Sequence, residues 1–225
     1  MKDHRIKISP SMMCADFMDL RSELDLFRSK HIDYLHIDVM DGHYVPNLTL
    51  GFDFAKSLHE YSGIPLDFHL MVEKPENFLD IFCQVENSVV SIHPDATWHP
   101  DRLLRKIRES GCSPGIVINP HMAIDQFKNL YPIVDVVLVM TVNPGYAGQK
   151  LVPQSLDKIH ELKSYAEINN LAFDIEVDGN VSWENIPAMV MAGASVLVAG
   201  TSSLFQPGQK REDSLERLFQ LIDKL

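Results

Sequence analysis

The residues best suited to chemistry recur at a spacing of two. In the segment His36-Ile37-Asp38-Val39-Met40-Asp41, an extended chain sends His36, Asp38 and Met40 to one face and Ile37 and Val39 to the other. Asp67, His69 and Met71 repeat the arrangement, and a third run ends Glu176-Val177-Asp178-Gly179. The two imidazoles and two carboxylates of His36, Asp38, His69 and Asp178 make a ligand set that holds one divalent ion and leaves room for substrate oxygens. Zinc, iron, manganese, cobalt and magnesium all stay open, because ligand type does not choose among them. Such an ion polarises a carbonyl, and a carboxylate beside it takes or gives a proton. A single histidine near a strand end is more often a hydrogen-bonded polar residue, so the weight rests on the joint pattern. His93, after an apolar run, and His43, in the loop DGHYVP, are the sequence-local alternatives as ligands.

Other residues near these positions have two readings. Met40, Met71 and Met140 stand at equivalent run ends, as a soft apolar cap around a reacting carbon or as ordinary core filling. Cys14 has no suggested His or Asp partner and reads as a pocket-wall residue rather than a nucleophile. The loop Asn143-Pro144-Gly145-Tyr146-Ala147-Gly148-Gln149 lets backbone approach an anion closely. Gly179-Asn180 and Gly200-Thr201-Ser202 follow the next two apolar runs. Three consecutive loops rich in small residues and N–H donors suit a phosphate group. A phosphate held beside a metal points to chemistry on a ketose phosphate.

These groups need a scaffold that gathers run ends at one face. Strand-length apolar runs occur at Ile6–Ser9, Tyr34–Met40, Pro65–Met71, Val89–His93, Gly115–Ile118, Val136–Met140, Phe173–Val177 and Val196–Ala199. Helical spacing fills Asp19–Ser29, Phe52–Tyr61, Glu76–Val85, Asp101–Ser110, Ile124–Leu130, Pro153–Asn169, Trp183–Ala192 and Glu212–Leu225. Runs such as VDVVLVM are apolar on both faces, as parallel strands covered by helices require. Eight strand-helix units in a chain of 225 residues predict an α/β fold, a single (β/α)8 TIM barrel spanning residues 1–225 as one catalytic domain. An open doubly wound sheet is the competing architecture. Pro75 and Pro153 sit near expected helix starts, and Gly111 and Gly193 near expected ends.

A formal net charge of −11 argues against nucleic-acid and anionic-membrane partners, although oriented backbone N–H groups can still bind a small phosphate. The start MKDHRIK lacks a signal-peptide core and no apolar run reaches spanning length, so the expected location is cytoplasmic. Three cysteines without CxxC spacing suggest free thiols.

Nearly the whole chain resembles the ribulose-phosphate 3-epimerase family, through SPSMMCADF, HIDVMDGHYVPNLTLG, DFHLMV, VMTVNPGYAGQ, EVDGN and VAGTSSLF. The resemblance implies inversion of carbon 3 of a ketose phosphate with one divalent metal ion per subunit and no organic cofactor. It assigns the metal to His36, Asp38, His69 and Asp178, and makes Asp38 and Asp178 the acid and base on opposite faces of carbon 3, acting through a metal-stabilised enediolate. Ser11, His69, Met40, Met71, Met140, Gly145, Tyr146, Ala147, Gly148, Asp178, Gly179, Asn180, Gly200, Thr201 and Ser202 would contact the substrate. A homo-oligomer is also implied. Met12-Met13-Cys14, Ala147 and the ending GTSSLF look closer to the D-allulose-6-phosphate branch, which yields D-fructose 6-phosphate, than to the ribulose-5-phosphate enzymes, which yield xylulose 5-phosphate. Two readings from other classes compete. A Schiff-base aldolase would need a lysine at a strand end, where Lys74 is the nearest. A non-catalytic sugar-phosphate-binding barrel would have no need of the paired aspartates.

Overall fold

The computed structural model describes residues 5–225, and the first four residues of the expected domain lie outside the described residues. In chain order the elements are β1 (Lys7–Pro10), α1 (Leu20–Ser29), β2 (Leu35–Met40), α2 (Phe52–Ser62), β3 (Leu66–Met71), α3 (Leu79–Phe82), β4 (Val89–Ile92), α4 (Pro100–Glu109), β5 (Ser113–Ile118), β6 (Val136–Met140), α5 (Gln154–Ile168), β7 (Asp174–Asp178), α6 (Ile186–Ala192), β8 (Val196–Ala199) and α7 (Arg211–Ile222). The strands form one eight-stranded parallel sheet in the order β1-β8-β7-β6-β5-β4-β3-β2. The remaining seam, between β1 and β2, is drawn together by a bridge of Ser11 with His36 and by the Tyr34 N–H donating to the Ile8 carbonyl at 3.4 Å. The sheet is therefore a nearly closed α/β barrel.

Strand parity divides the core. Ile37, Val39, Phe68, Leu70, Val137 and Val139 belong to the large cluster that packs the barrel against its helices. Val117, Leu138, Met140 and Val142 form a separate cluster of the opposite parity. The helices present matching apolar stripes; in α4, Leu103, Leu104 and Ile107 are buried while its charged residues face out.

Two expected helices differ. Between β5 and β6, Ile124–Leu130 is not an α-helix: a 3-10 turn covers Ile124–Phe127, and a second, Tyr131–Ile133, follows the expected segment. Pro132 cannot donate within a helix and restricts Tyr131 before it, while burial of Ile124, Leu130 and Tyr131 still seals this side. The expected Glu76–Val85 helix shrinks to a 3-10 turn, Pro75–Asn77, followed by the single turn of α3.

Candidate active site

Register along β2 and β3 sets the site. His36 pairs with Asp67, Asp38 with His69, and Met40 with Met71, while Met140 of β6 lies opposite Asp178 of β7. One ligand atom from each of His36, Asp38, His69 and Asp178 lies within 4.8 Å of all the others. His36 Nε2 is 3.4 Å from Asp38 Oδ1 and 4.0 Å from Asp178 Oδ2. His69 Nδ1 is 3.3 Å from the same Asp38 oxygen and 3.6 Å from the same Asp178 oxygen. The three spacings of 3.3, 3.4 and 3.6 Å match those around a small divalent ion with bonds of about 2.0–2.2 Å, and the fourth, 4.0 Å, is wider. His36 Nε2 and His69 Nδ1 are buried and lack any hydrogen-bond partner. Unsatisfied buried nitrogens are costly, and two of them facing two carboxylates fit a cation.

The opposite edge of each imidazole is engaged. His36 Nδ1 lies 2.6 Å from Asp67 Oδ2, which also accepts a hydrogen bond of 2.9 Å from Ser9 Oγ. Glu176 comes within 3.6 Å of the same His36 nitrogen. On the other side His69 Nε2 is 2.9 Å from His93 Nε2.

Burial alone would raise the Asp38 pKa, but His36 and His69 outweigh it and hold this carboxyl below its ordinary value. Burial opposes the charged form of His36 and His69 too, yet the surrounding carboxylates raise them, His36 strongly. Glu176 is pushed well above the usual carboxylate range by burial and by the charge of Asp67. Asp67 itself is lowered, because His36 overcomes its burial. His93 is held well below the ordinary imidazole value by burial and by neighbouring His69.

A cleft opens above these four residues at the C-terminal ends of the strands, where barrel enzymes keep their active sites. Ser11, Met40, Met71, Met140, Gly145, Tyr146, Ala147, Gly148, Gly179, Asn180, Gly200, Thr201 and Ser202 line it together with Asp38 and Asp178. His69 stands below the surface, fully buried. Ser11 Oγ donates to Asp38 Oδ2 at 3.0 Å and orients that carboxylate. Gly179 has φ +109°, and a Cβ there would stand 2.5 Å from Val142 Cγ2, so a side chain is excluded. The Asn180 amide donates to the Gln149 carbonyl at 2.7 Å, tying the loop after β7 to the loop after β6. Cys14 also lines the cleft, where burial pushes its thiol up to about 11.

Of the alternative ligands, His43 is exposed and turned to Asp41, and His93 lies behind His69 rather than at the ligand centre. Lys74 is in a left-handed conformation beside Pro75, beyond the end of β3, and does not line the cleft. Sequence reasoning placed Asp67 and Glu176 on the same parity as His69 and Asp178 and weighed His93 as a ligand, but gave none of them a supporting role; Ser9 and Tyr44 it missed.

Fold and site together define an α/β-barrel protein with a polar metal-type centre beside small-residue loops at its strand ends. The ribulose-phosphate 3-epimerase family model matches residues 7–205, and the chain belongs to that family. It is 39% identical over 207 residues to ribulose-phosphate 3-epimerase of Bacillus subtilis, covering 92% of this chain and 95% of that one. The Escherichia coli K12 enzyme of the same name is 40% identical, with 91% of each chain covered. These relatives are carbohydrate epimerases, enzymes of the isomerase class. Among solved structures, a 3-hexulose-6-phosphate synthase aligns with a TM-score of 0.66 over 96% of this chain and 99% of that one; at 13% identity it speaks for the fold alone.

Proposed function

We propose that this chain inverts carbon 3 of a phosphorylated ketose, with D-allulose 6-phosphate as substrate and D-fructose 6-phosphate as product. The carrying observation is that Asp38 and Asp178, from β2 and β7, converge on the same two unpartnered histidine nitrogens at the floor of the cleft. His36, Asp38, His69 and Asp178 would hold the divalent ion, which supplies Lewis-acid polarisation of the substrate carbonyl when bound. Asp38, kept ionised by its histidine neighbours and oriented by Ser11, removes the carbon 3 proton from one face. Asp178 delivers a proton to the other face, and the roles exchange in the reverse direction. Electrons return to the carbon they left, so no organic cofactor is needed.

Met40, Met71 and Met140 line the cleft next to the aspartates and exclude water from the reacting carbon. The loops after β6, β7 and β8 bind the phosphate through backbone N–H groups. The six-carbon reading rests on Met12-Met13-Cys14, Ala147 and the ending GTSSLF, which look closer to the D-allulose-6-phosphate branch. Of these, the Cys14 sulfur is 3.8 Å from Ser11 Oγ and 3.7 Å from where a Cβ would stand on Gly200, between the aspartates and the loop after β8. The second reading, D-ribulose 5-phosphate to D-xylulose 5-phosphate, is favoured by the names of the relatives at 39–42% identity. Among the described residues no helix is long and apolar enough to cross a membrane. A cytoplasmic homo-oligomer completes the proposal.

The test incubates the metal-loaded enzyme with each ketose phosphate in heavy water and follows deuterium at carbon 3. Exchange is expected with both inversion and wash-in, and its absence with every ketose phosphate would sink the epimerase reading. Comparing kcat/KM for the two substrates decides the chain length.

A further inference from the structure

The two ligand histidines are braced differently. His36 is held from inside the barrel by Asp67, whereas His69 leans on a chain of groups that runs outward: His93, Tyr44 and the exposed Asp95. We infer that the chain from His69 through His93 and Tyr44 to Asp95 is directed, and that its direction fixes the ring tautomer in which His69 presents Nδ1 to a divalent ion. The inference rests on the metal reading proposed above.

The direction follows from counting protons. His69 Nδ1 faces Asp38 and Asp178 without a hydrogen-bond partner, and ligation requires a lone pair there. The ring proton must then sit on Nε2, which donates to His93 Nε2 at 2.9 Å. His93, accepting at Nε2, carries its ring proton on Nδ1, which donates to Tyr44 Oη at 2.8 Å. Tyr44 Oη also accepts from Asn119 Nδ2 at 2.8 Å, so its hydroxyl proton goes to the remaining neighbour, the Asp95 carboxylate, with oxygens at 3.2 and 3.3 Å. The Asn119 backbone carbonyl accepts from Lys158 Nζ at 2.8 Å, which anchors the residue that carries this amide. Reversing the chain would place a proton on His69 Nδ1, where the ion must bind. Tyr44, His93 and Asp95 are thus positioning residues: none lies at the ligand centre, and each acts through the next. Partners behind metal-bound histidines also raise ligand basicity.

Asp95→Ala removes the terminal acceptor at an exposed position, and Tyr44→Phe removes the middle link. Zinc affinity measured by competition with a chelator should fall about 10-fold to 100-fold, the usual cost of losing such a partner, and more for Tyr44→Phe than for Asp95→Ala. Nitrogen-15 NMR of the zinc-loaded protein should show His69 protonated on Nε2 and His93 on Nδ1 in the wild type, with mixed His93 tautomers in both variants. Wild-type zinc affinity together with wild-type tautomers in Asp95→Ala would overturn the inference, as would a wild-type His93 protonated on Nε2. Because Asp95 is exposed, its variant keeps the test decisive even where Tyr44→Phe folds poorly. Wild-type protein that takes up no zinc would remove the metal reading, whereas zinc-loaded protein with His93 protonated on Nε2 would overturn the direction of the chain alone.

Discussion

Around one arc of the barrel, β1, β2, β3 and β7 contribute Ser9, His36, Asp38, Asp67, His69, Glu176 and Asp178, all of them buried or partly buried. Around the other arc, β5 and β6 contribute Val117, Leu138 and Met140, which pack with Val142. Both arcs have the same backbone, parallel strands in continuous register. The apolar arc satisfies itself, as ordinary close-packed core does. The polar arc does not: two of its imidazole nitrogens have no partner. A fold that places both arcs around one axis surrounds its ionisable groups with low-dielectric wall, which strengthens every charge interaction among them.

The division can be broken from either side. The largest expected effect is on turnover: Asp38→Asn and Asp178→Asn should each lower kcat by about 10²–10⁴-fold, the range for a positioned acid or base, with circular dichroism unchanged. Full activity in either variant would remove that residue from the mechanism. In the apolar arc, Leu138→Ala should cost about 2–5 kcal/mol in urea unfolding, as buried leucine truncations do, while leaving zinc affinity at the wild-type value. A large change in zinc affinity would show that the arcs are coupled. Addition of zinc at about 100 times its Kd should stabilise the wild type by roughly 2.7 kcal/mol, read as a rise in Tm that the same zinc does not give Asp38→Asn.

The smallest effect sharpens the boundary between the arcs at Cys14. Its thiol is pushed up to about 11 from an ordinary 9.0, chiefly by burial. Alkylation of Cys14, followed by peptide mass spectrometry, should therefore accelerate only as the pH nears about 11. The same shift favours the folded state below about pH 9 and is lost as the pH rises through about 11, because the unfolded thiol ionises first. Rapid alkylation near neutral pH would place Cys14 in a wetter setting than the cleft wall.

Strand positions and the inward parity of His36, Asp38 and His69 were legible because alternation along a strand is a local property, written in neighbouring residues. Val136–Met140 and Val196–Ala199 match the expected bounds, and the other strands differ by one or two residues at an end. The fifth crossover was misread, because helical spacing of apolar residues gave no weight to Pro132 just beyond it. The second brace was also out of reach. Tyr44 stands 49 positions from His93 and 75 from Asn119, and no periodicity reports such distances.

The sequence by itself determined which residues can bind a cation and move a proton, since residue type and parity are carried by the chain. Tertiary structure alone decided how those residues are braced. Closing the sheet sets β2 and β3 in register and packs β4 behind them, which gives His69 an imidazole neighbour and His36 a carboxylate. Which nitrogen of each ring is left free is a matter of contact geometry, and contacts between distant segments exist only once the barrel is closed.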